Sequence, residues 1–228
     1  MPTEPEIAPW IGPLLQFSSA NLPVGAYSYS QGLEWAIESG WVHDVDTLKA
    51  WCRDWIDGPM AQQDLPLLAR LHSACECGDS EALTHWSAWA LASRETHELR
   101  EEERARARAV VMLLDQLLPD LTISHRDPLL KSPLTGLACA AVHLGIPRGG
   151  AQAAHAWGWL ENTVLVGVKH IPLGQSDGQR TMMQLWPALH EAITRSSHLD
   201  DDDIGFSLPG ASFASAAHET QYTRLYRS

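Results

Sequence analysis

The sequence predicts an all-α fold: a single compact multi-helix bundle domain with a flexible C-terminal tail. Apolar residues recur at the spacing of one helix face in nearly every periodic segment. Two-residue alternation, which is typical of strands, occurs only at Val164, Val166 and Val168, and that stretch fits the end of a helix begun near Ala151 equally well. With 228 residues, 45% hydrophobic and 19% charged, the chain can bury a sizeable core.

Three apolar stripes mark the clearest helices. They cover residues 48–56, 83–90 and 182–193. Asp46 or Thr47 is placed to cap the first helix, because a short polar side chain accepts hydrogen bonds from the free amides of the first turn. Asp79-Ser80 opens the second helix in the same way.

Glycine and proline predict where helices end. The expected breaks are Gly40, Gly58-Pro59, Gly78, Pro119, Pro128, Pro133, Gly145 to Pro147 and Pro172 to Gly178. They divide residues 1–198 into roughly eight to ten helices of one domain. Residues 199–228 are expected to form an acidic linker and a partner-binding tail. The block Asp200 to Asp203 carries like charges, and Gly205 to Gly210 interrupts any period. The side chains that would anchor an interface are Tyr222, Arg224, Tyr226 and Arg227.

Charge and hydropathy exclude several classes of partner. Sixteen Lys and Arg against twenty-eight Asp and Glu leave a formal charge of −12, which repels a phosphate backbone, so we expect no nucleic acid. Met1 to Glu6 is acidic and contains prolines, unlike a secretory signal. The longest near-apolar stretch, residues 134–146, is shorter than the roughly 20 residues of a membrane span. We therefore expect a cytoplasmic protein with no membrane partner.

The four cysteines do not indicate a disulfide framework in a chain of this length. Cys75-Glu76-Cys77 lacks a second Cys or His pair, so we expect an inert helix end there, with a metal site as the lesser alternative. This cysteine usage fits a reducing compartment.

Motifs for hydrolytic chemistry are incomplete. Gly174 to Gln179 has the glycines of a phosphate-binding loop without its spacing or its lysine. His97-Glu98, His190-Glu191 and His218-Glu219 each lack the second histidine of a zinc protease. Gly210 to Ala214 lacks the closing glycine of a serine-hydrolase elbow. We therefore predict no catalytic residue and no enzyme activity.

One cluster of potential metal ligands remains, in which His198 precedes Asp200 to Asp203. Oxygen and nitrogen ligands suit a divalent ion, but a defined site needs them fixed on rigid elements. We predict no metal site and keep, as the alternative function, a nickel-binding metallochaperone that uses this cluster.

The run from Arg100 to Arg108 alternates in charge at helical spacing. Glu102 meets Arg106 at i+4, and Glu101 meets Arg104 at i+3. Such a run favours a solvated helix, and a docking face is the alternative.

Four segments, taken together, resemble the urease accessory protein UreF family. They are Leu14 to Glu34, Ser93 to Arg104, Lys169 to Gln179 and His218 to Ser228. The chain departs from the family pattern at Tyr27, where the family usually has Phe, near Asn21, where a small residue or proline is common, and at Ala107, where Gly is usual.

The resemblance implies an all-helical homodimer that acts in maturation of the nickel enzyme urease and needs no cofactor of its own. It would bridge the scaffold UreD, also called UreH, and the GTPase UreG on the way to apo-urease. It would also help to regulate GTP-dependent nickel delivery, with the nickel ligands on other components.

The resemblance also assigns partner-binding residues. They are Tyr27 and Tyr29 after the Pro23 to Gly25 turn; Lys169, Gln175, Asp177 and Gln179 near a Gly-rich loop; and Glu219, Tyr222, Arg224 and Arg227 in the tail. The turn could be purely structural, Asp177 could simply cap the following helix, and the tail could be a frayed terminus. Arg224 is the residue we expect to matter most for the GTPase surface.

Overall fold

The computed structural model describes residues 7–19 and 21–228, and that part of the chain folds into α-helices without a strand. The all-α prediction is confirmed. The acidic start of the chain, Met1 to Glu6, and Ala20 of the first family-like segment lie outside the described residues. Over the described residues, no helix has both the length and the apolar character that crossing a bilayer requires.

Most of the helices follow one another with short connections, and the longest connections are residues 18–32 and 197–208. They are α1 (Ile11–Phe17), α2 (Leu33–Glu38), α3 (Val45–Trp55), α4 (Leu65–Cys77), α5 (Ser80–Ala92), α6 (His97–Leu117), α7 (Pro119–Leu129), α8 (Pro133–His143), α9 (Arg148–His170), α10 (Gln175–Ser196) and α11 (Pro209–His218). Short 3-10 turns occupy Ala26–Ser28 and Asp201–Asp203. The valine alternation lies in α9, so its helical interpretation is confirmed.

The N-terminal caps of α3 and α5 are short polar residues, as the sequence predicts. Asp79 caps α5 by accepting from the Ala82 amide at 2.9 Å, as predicted. For α3 the cap is Asp44, which accepts from the Thr47 amide at 2.8 Å, while the Thr47 hydroxyl accepts from the Asp44 amide at 3.0 Å. Thr47 thus takes part, but the helix begins two or three residues earlier than the prediction.

The predicted break at Gly58-Pro59 is wrong. A π-helical segment, Ile56–Asp64, joins α3 to α4 without interruption and buries both residues. A π turn displaces the normal hydrogen-bond ladder, so the missing amide of Pro59 costs less there than in an α-helix. Gly58 is needed because the ring of Phe206 lies directly against it and leaves no room for a side chain.

Two apolar clusters form the core. One gathers α2, α3, α9 and α10 around residues such as Leu48, Leu160 and Leu189. The other gathers α4, α5, α6 and α8 around residues such as Leu71 and Leu114. Both α4 and α9 contribute to the two clusters, which therefore belong to one bundle.

The charged run on α6 is only partly solvated. Glu101 and Arg104 pair at 2.7 Å on the surface, as the spacing predicts. Glu102 and Glu103, in contrast, are 3% and 5% exposed. The solvated-helix interpretation is therefore wrong for these two carboxylates. Glu102 makes the predicted i+4 pair with Arg106 at 2.9 Å, and Glu103 pairs with a cation from outside the run.

Arg94, between α5 and α6, is the cation that compensates Glu103. Its guanidinium contacts Glu103 Oε2 at 2.8 Å and Asp64 Oδ1 at 2.9 Å, and we call these three side chains the inner ion cluster. Burial alone would raise the pKa of the Asp64 carboxyl, but the charge of Arg94 and the nearby His155 hold that pKa well below its usual range.

The last thirty residues differ from the expected free tail, because they lie packed on the helices. Arg70 of α4 contacts Asp201 at 2.9 Å, and the Gly205 amide donates to the Gln62 carbonyl at 2.9 Å. Asp201 and the Gly205 amide thus both have polar partners in the helical bundle. The boundary at residue 198 is not a boundary of packing.

Cys75 of α4 and Cys139 of α8 form a disulfide, with 5.6 Å between their Cα atoms. The sequence offered no reason to pair residues 64 positions apart, and the inert-end expectation for Cys75 is wrong. Cys52 and Cys77 are free.

Candidate partner-binding surface

Residues 219–228, which we call the tail, lie against three buried carboxylates of the bundle. Glu34 of α2 is 5% exposed, and Glu98 and Glu102 of α6 are 9% and 3% exposed. A buried carboxylate is costly unless donors surround it. The tail and His218 supply most of these donors, and we call this arrangement the tail site.

Glu34 receives the backbone of the tail. Its Oε1 accepts from the Leu225 amide at 2.8 Å, and its Oε2 accepts from the Tyr226 amide at 3.0 Å. Burial on its own would raise the pKa of the Glu34 carboxyl, but these two amides and His218 outweigh burial and lower that pKa below its ordinary value. The ionised carboxylate is therefore the form that holds the tail.

His218 joins two of the carboxylates. Its Nε2 lies 3.1 Å from Glu34 Oε2, and its Nδ1 lies 2.7 Å from Glu98 Oε2, with the ring fully buried. Carboxylates only accept, so a protonated ring makes both hydrogen bonds and a neutral ring makes one. Arg224 adds a cation, since its Nη1 donates to Glu98 Oε1 at 2.7 Å.

The end of the tail joins Glu102 to the segment before α2. Ser228 Oγ donates to Glu102 Oε2 at 2.9 Å. The Ser228 main-chain oxygen accepts from the Ser30 amide at 2.7 Å, and the Arg227 amide donates to the Ser28 carbonyl at 2.9 Å. The tail thus pairs with the stretch that contains the two predicted tyrosines.

The two tyrosines lie on opposite sides of that stretch. Gly25 has φ +71°, a left-handed conformation that glycine adopts without strain, and it turns the chain into the 3-10 turn. Tyr27 is 63% exposed and Tyr29 is 6% exposed. Tyr27 is accessible to a partner, whereas the ring of Tyr29 is packed inside.

The second predicted group lies where α9 passes into α10. Gln175, Asp177 and Gln179 belong to the first turns of α10 and not to a loop. Asp177 Oδ2 accepts from the Gly174 amide at 3.2 Å, so the capping role is confirmed. Among the hydrogen bonds of the described residues, none joins these three to the tail.

Lys169 lies nearer to the tail site. It is exposed in the last turn of α9. The next residue, His170, has its Nε2 3.8 Å from Glu34 Oε1 and its ring centre 5.5 Å from that of Tyr226. The end of α9 therefore borders the tail, and Lys169 stands at this border.

The outer side of the tail is accessible. Glu219, Tyr222 and Arg227 are exposed, as is Leu225 at 77%. Glu219 also accepts weakly from the Glu98 amide, at 3.4 Å, at the start of α6. Some groups of the predicted tail residues thus contact the helical bundle, and others are exposed to solvent.

An aromatic cluster adjoins the tail. The rings of Trp35, Trp41 and Phe213 lie within 5.8 Å of one another, and Trp41 and Phe213 are 46% and 57% exposed. Gln221 of the tail donates to Glu38 at the end of α2, three residues before Trp41. This cluster extends the accessible surface with apolar area.

The alternative metal cluster is not assembled. Asp201 pairs with Arg70, and the run Asp201–Asp203 forms a 3-10 turn on α4. Across residues 7–19 and 21–228 no three His, Cys, Asp or Glu side chains form a group that could hold a metal ion. The geometry therefore does not favour the nickel-binding metallochaperone.

Comparison with known proteins shows the family of the chain. The UreF family model matches residues 42–186. The chain belongs to the UreF family. It is 45% identical over 215 residues to the urease accessory protein UreF of Pseudomonas putida strain W619, covering 94% of this chain and 96% of that protein. The corresponding proteins of Alcanivorax borkumensis and Alkalilimnicola ehrlichii are 45% and 42% identical, each over 94% of this chain and over 96% and 94% of their own lengths.

The family-like segments meet in space. The first segment supplies Glu34, the second supplies Glu98 and Glu102, and the last is the tail itself. The segment that starts at Lys169 borders them through His170. UreF-like motifs that are far apart in this sequence are therefore parts of one site.

Sequence reasoning missed the carboxylates and His218 as site residues. Glu98 and His218 were noted only in incomplete zinc motifs and as members of family-like segments, and Glu34 only as the end of such a segment. Their signal is burial combined with charge, which appears only once α2, α6 and the tail are brought together.

Proposed function

We propose that this chain is a non-catalytic accessory protein of urease maturation that acts in the cytoplasm as a homodimer. In this role it bridges the scaffold UreD/UreH and the GTPase UreG. It helps to regulate the GTP-dependent delivery of nickel, carried as cargo, to apo-urease. Membership of the UreF family and the names of its relatives support the urease context.

The observation that carries this proposal is the two-sided tail. Its inner side donates hydrogen bonds to Glu34, Glu98 and Glu102, while its outer side exposes Tyr222 completely. Aromatic and arginine side chains dominate the binding energy of many interfaces. A partner can therefore bind the outer side while the inner contacts keep the tail in one conformation.

The position of Arg224 suggests how the two partners are coupled. Its side chain is 40% exposed and is oriented by Glu98, which His218 also contacts. A scaffold that binds the tail and the Trp41–Phe213 cluster favours the conformation in which Arg224 is oriented for the GTPase. Scaffold binding then increases the population of molecules with a docked tail, because the scaffold binds that conformation more tightly.

Copurification tests the bridge. Tagged UreD/UreH is used to recover this chain and UreG. The recovered amounts are compared between wild type, Arg224→Ala and Tyr222→Ala. We expect Tyr222→Ala to weaken scaffold binding and Arg224→Ala to reduce the recovered GTPase about tenfold or more, as loss of an interface anchor does. Arg126→Ala is the matched control, because Arg126 is 55% exposed and pairs with Asp115 away from the tail.

Circular dichroism of each variant confirms that the bundle is intact. Unchanged recovery of both partners with Tyr222→Ala and Arg224→Ala would contradict the tail as the bridge. GTP hydrolysis by the purified chain without UreG would contradict a non-catalytic role.

A further inference from the structure

We propose that Cys75 is a thiol–disulfide exchange site, through which low-molecular-weight thiols of the glutathione class open and reform the cross-link to Cys139. The proposal concerns the side of the bundle where α4 packs on α8, and it does not depend on urease maturation. It assigns a reversible modification to a residue that the tail site does not use.

The backbone allows the bond to open and close in place. The Cα atoms of Cys75 and Cys139 are 5.6 Å apart, within the range of about 4.4–6.8 Å that disulfides span. Both residues lie in regular helix, and Leu71 and Ala138 near them belong to the same apolar cluster. This packing keeps the two helices together when the bond is open.

Access to the two sulfur atoms is unequal. Cys139 is 1% exposed, whereas Cys75 is partly exposed and lies three residues before Gly78, which ends α4. Exchange requires a thiolate to reach the sulfur that it attacks. The external thiol therefore attacks Cys75, and Cys139 is the leaving group.

The exchange balances in two steps. An external thiolate forms a bond to Cys75 Sγ while the Cys75–Cys139 bond breaks, and Cys139 leaves with the electron pair and takes up a proton. A second external thiolate then attacks the small-molecule sulfur of the mixed disulfide and releases the Cys75 thiolate. Two thiols are thereby oxidised to one small disulfide, and the protein disulfide is reduced to two thiols; the reverse sequence closes the bond.

The other two cysteines do not compete for this pairing. Cys52 is fully buried, and burial raises the pKa of its thiol to about 12, so it is unreactive. Cys77 is free and exposed. Because side chains at i and i+2 of a helix do not share a face, Cys77 is not oriented towards Cys139 as Cys75 is.

The cross-link constrains a large part of the chain. It joins residues 64 positions apart, so the closed loop contains α5, α6 and α7. A cross-link of this loop length lowers the entropy of the unfolded chain. We therefore expect the oxidised protein to melt roughly 5–15 °C above the reduced protein.

The test equilibrates the full chain in mixtures of reduced and oxidised glutathione, alkylates the free thiols, and maps peptides by mass spectrometry alongside thermal melts. Wild type and Cys77→Ser, the matched control, should both give the linked Cys75–Cys139 peptide in oxidising mixtures and lose it in reducing ones. Cys139→Ser should instead accumulate a glutathione adduct on Cys75 and show no oxidative rise in melting temperature.

Cys75→Ser is the second variant, because a partly exposed serine is tolerated even if a hydroxyl in the core at position 139 impairs folding. It should abolish both the linked peptide and the melting shift. The proposal is overturned if no linked peptide forms in any mixture, if no mixture opens the link, if Cys139 carries the first adduct, or if the melting shift persists in Cys75→Ser.

Discussion

The inner ion cluster and the tail site both contain buried carboxylates of α6, yet they differ in what neutralises them. Asp64 and Glu103 are compensated by the guanidinium of Arg94, whose side chain is only 13% exposed. Glu34 and Glu98 share the buried His218 of α11, but their other donors are backbone amides and a half-exposed arginine of the tail, which lies on the surface. The first cluster therefore belongs to the fold, and the second can be separated from it.

The difference shows that buried carboxylates of one bundle can have partners of two kinds. A carboxylate that is satisfied from within the bundle gains nothing from a partner. A carboxylate that is satisfied by a peripheral segment makes the conformation of that segment depend on charge and on binding. The tail site has this second property.

The largest effect is expected at the inner ion cluster. Arg94→Ala leaves Asp64 and Glu103 buried without their cation, so unfolding free energy should fall by about 3–5 kcal/mol. Chemical denaturation measures this loss, with Arg180→Ala as the control, since Arg180 pairs with Asp177 on the surface. If Arg94→Ala lowers the free energy of unfolding no more than Arg180→Ala does, the inner ion cluster is not required for the fold in the way that we infer.

Glu34→Gln should have a smaller global effect and a large local one. The amide keeps the shape but loses the charge that the Leu225 and Tyr226 amides and His218 contact. We expect a loss of about 1–3 kcal/mol, and faster hydrogen exchange and proteolysis confined to the tail. Glu101→Gln, on the exposed side of α6, is the control. Uniformly faster exchange throughout the bundle would place Glu34 in the fold and not in a separable site.

Acid should reproduce part of that effect. The pKa of Glu34 is lowered in the folded chain, so its contribution is present above the ordinary value of 4.5 and is lost as pH falls through the lower folded value. We expect tail exchange, followed by mass spectrometry after correction for intrinsic rates, to rise below about pH 4.5 in wild type. The same rise in Glu34→Gln would show that another group controls the tail.

Arg224→Ala should have the smallest effect on stability. Its ion pair with Glu98 is 40% exposed on the arginine side and is screened by solvent, so we expect a loss of about 1 kcal/mol or less. The melting temperature should therefore barely change while partner recovery falls. A stability loss equal to that of Arg94→Ala would assign Arg224 to the core of the protein.

Periodicity and caps made much of the fold predictable. The stripe around Leu48, the cap at Asp79 and the helical character of the valine alternation are local properties, and local hydrogen bonding decides them. The predicted break at Gly58-Pro59 was wrong because a π-helical segment accommodates Pro59, and because Phe206, distant in sequence, packs on Gly58.

The site was predictable only in part. The resemblance pointed to segments that meet at the tail site, including the tail itself and the end of α9 at Lys169, but not to the carboxylates that hold the tail. The capping role of Asp177 depends on residues 174–177 alone and could be anticipated. The role of Glu98 depends on His218 and Arg224, more than a hundred residues away.

By itself the sequence determined that this chain is helical, that it belongs with UreF-like proteins, and which residues begin many of its helices, because these depend on neighbours within one or two turns. Only the tertiary structure decided which carboxylates are buried, which side of the tail is free, and that Cys75 meets Cys139. Burial and pairing of charges and thiols depend on which distant segments share a volume, and the spacing of residues along the chain does not contain that information.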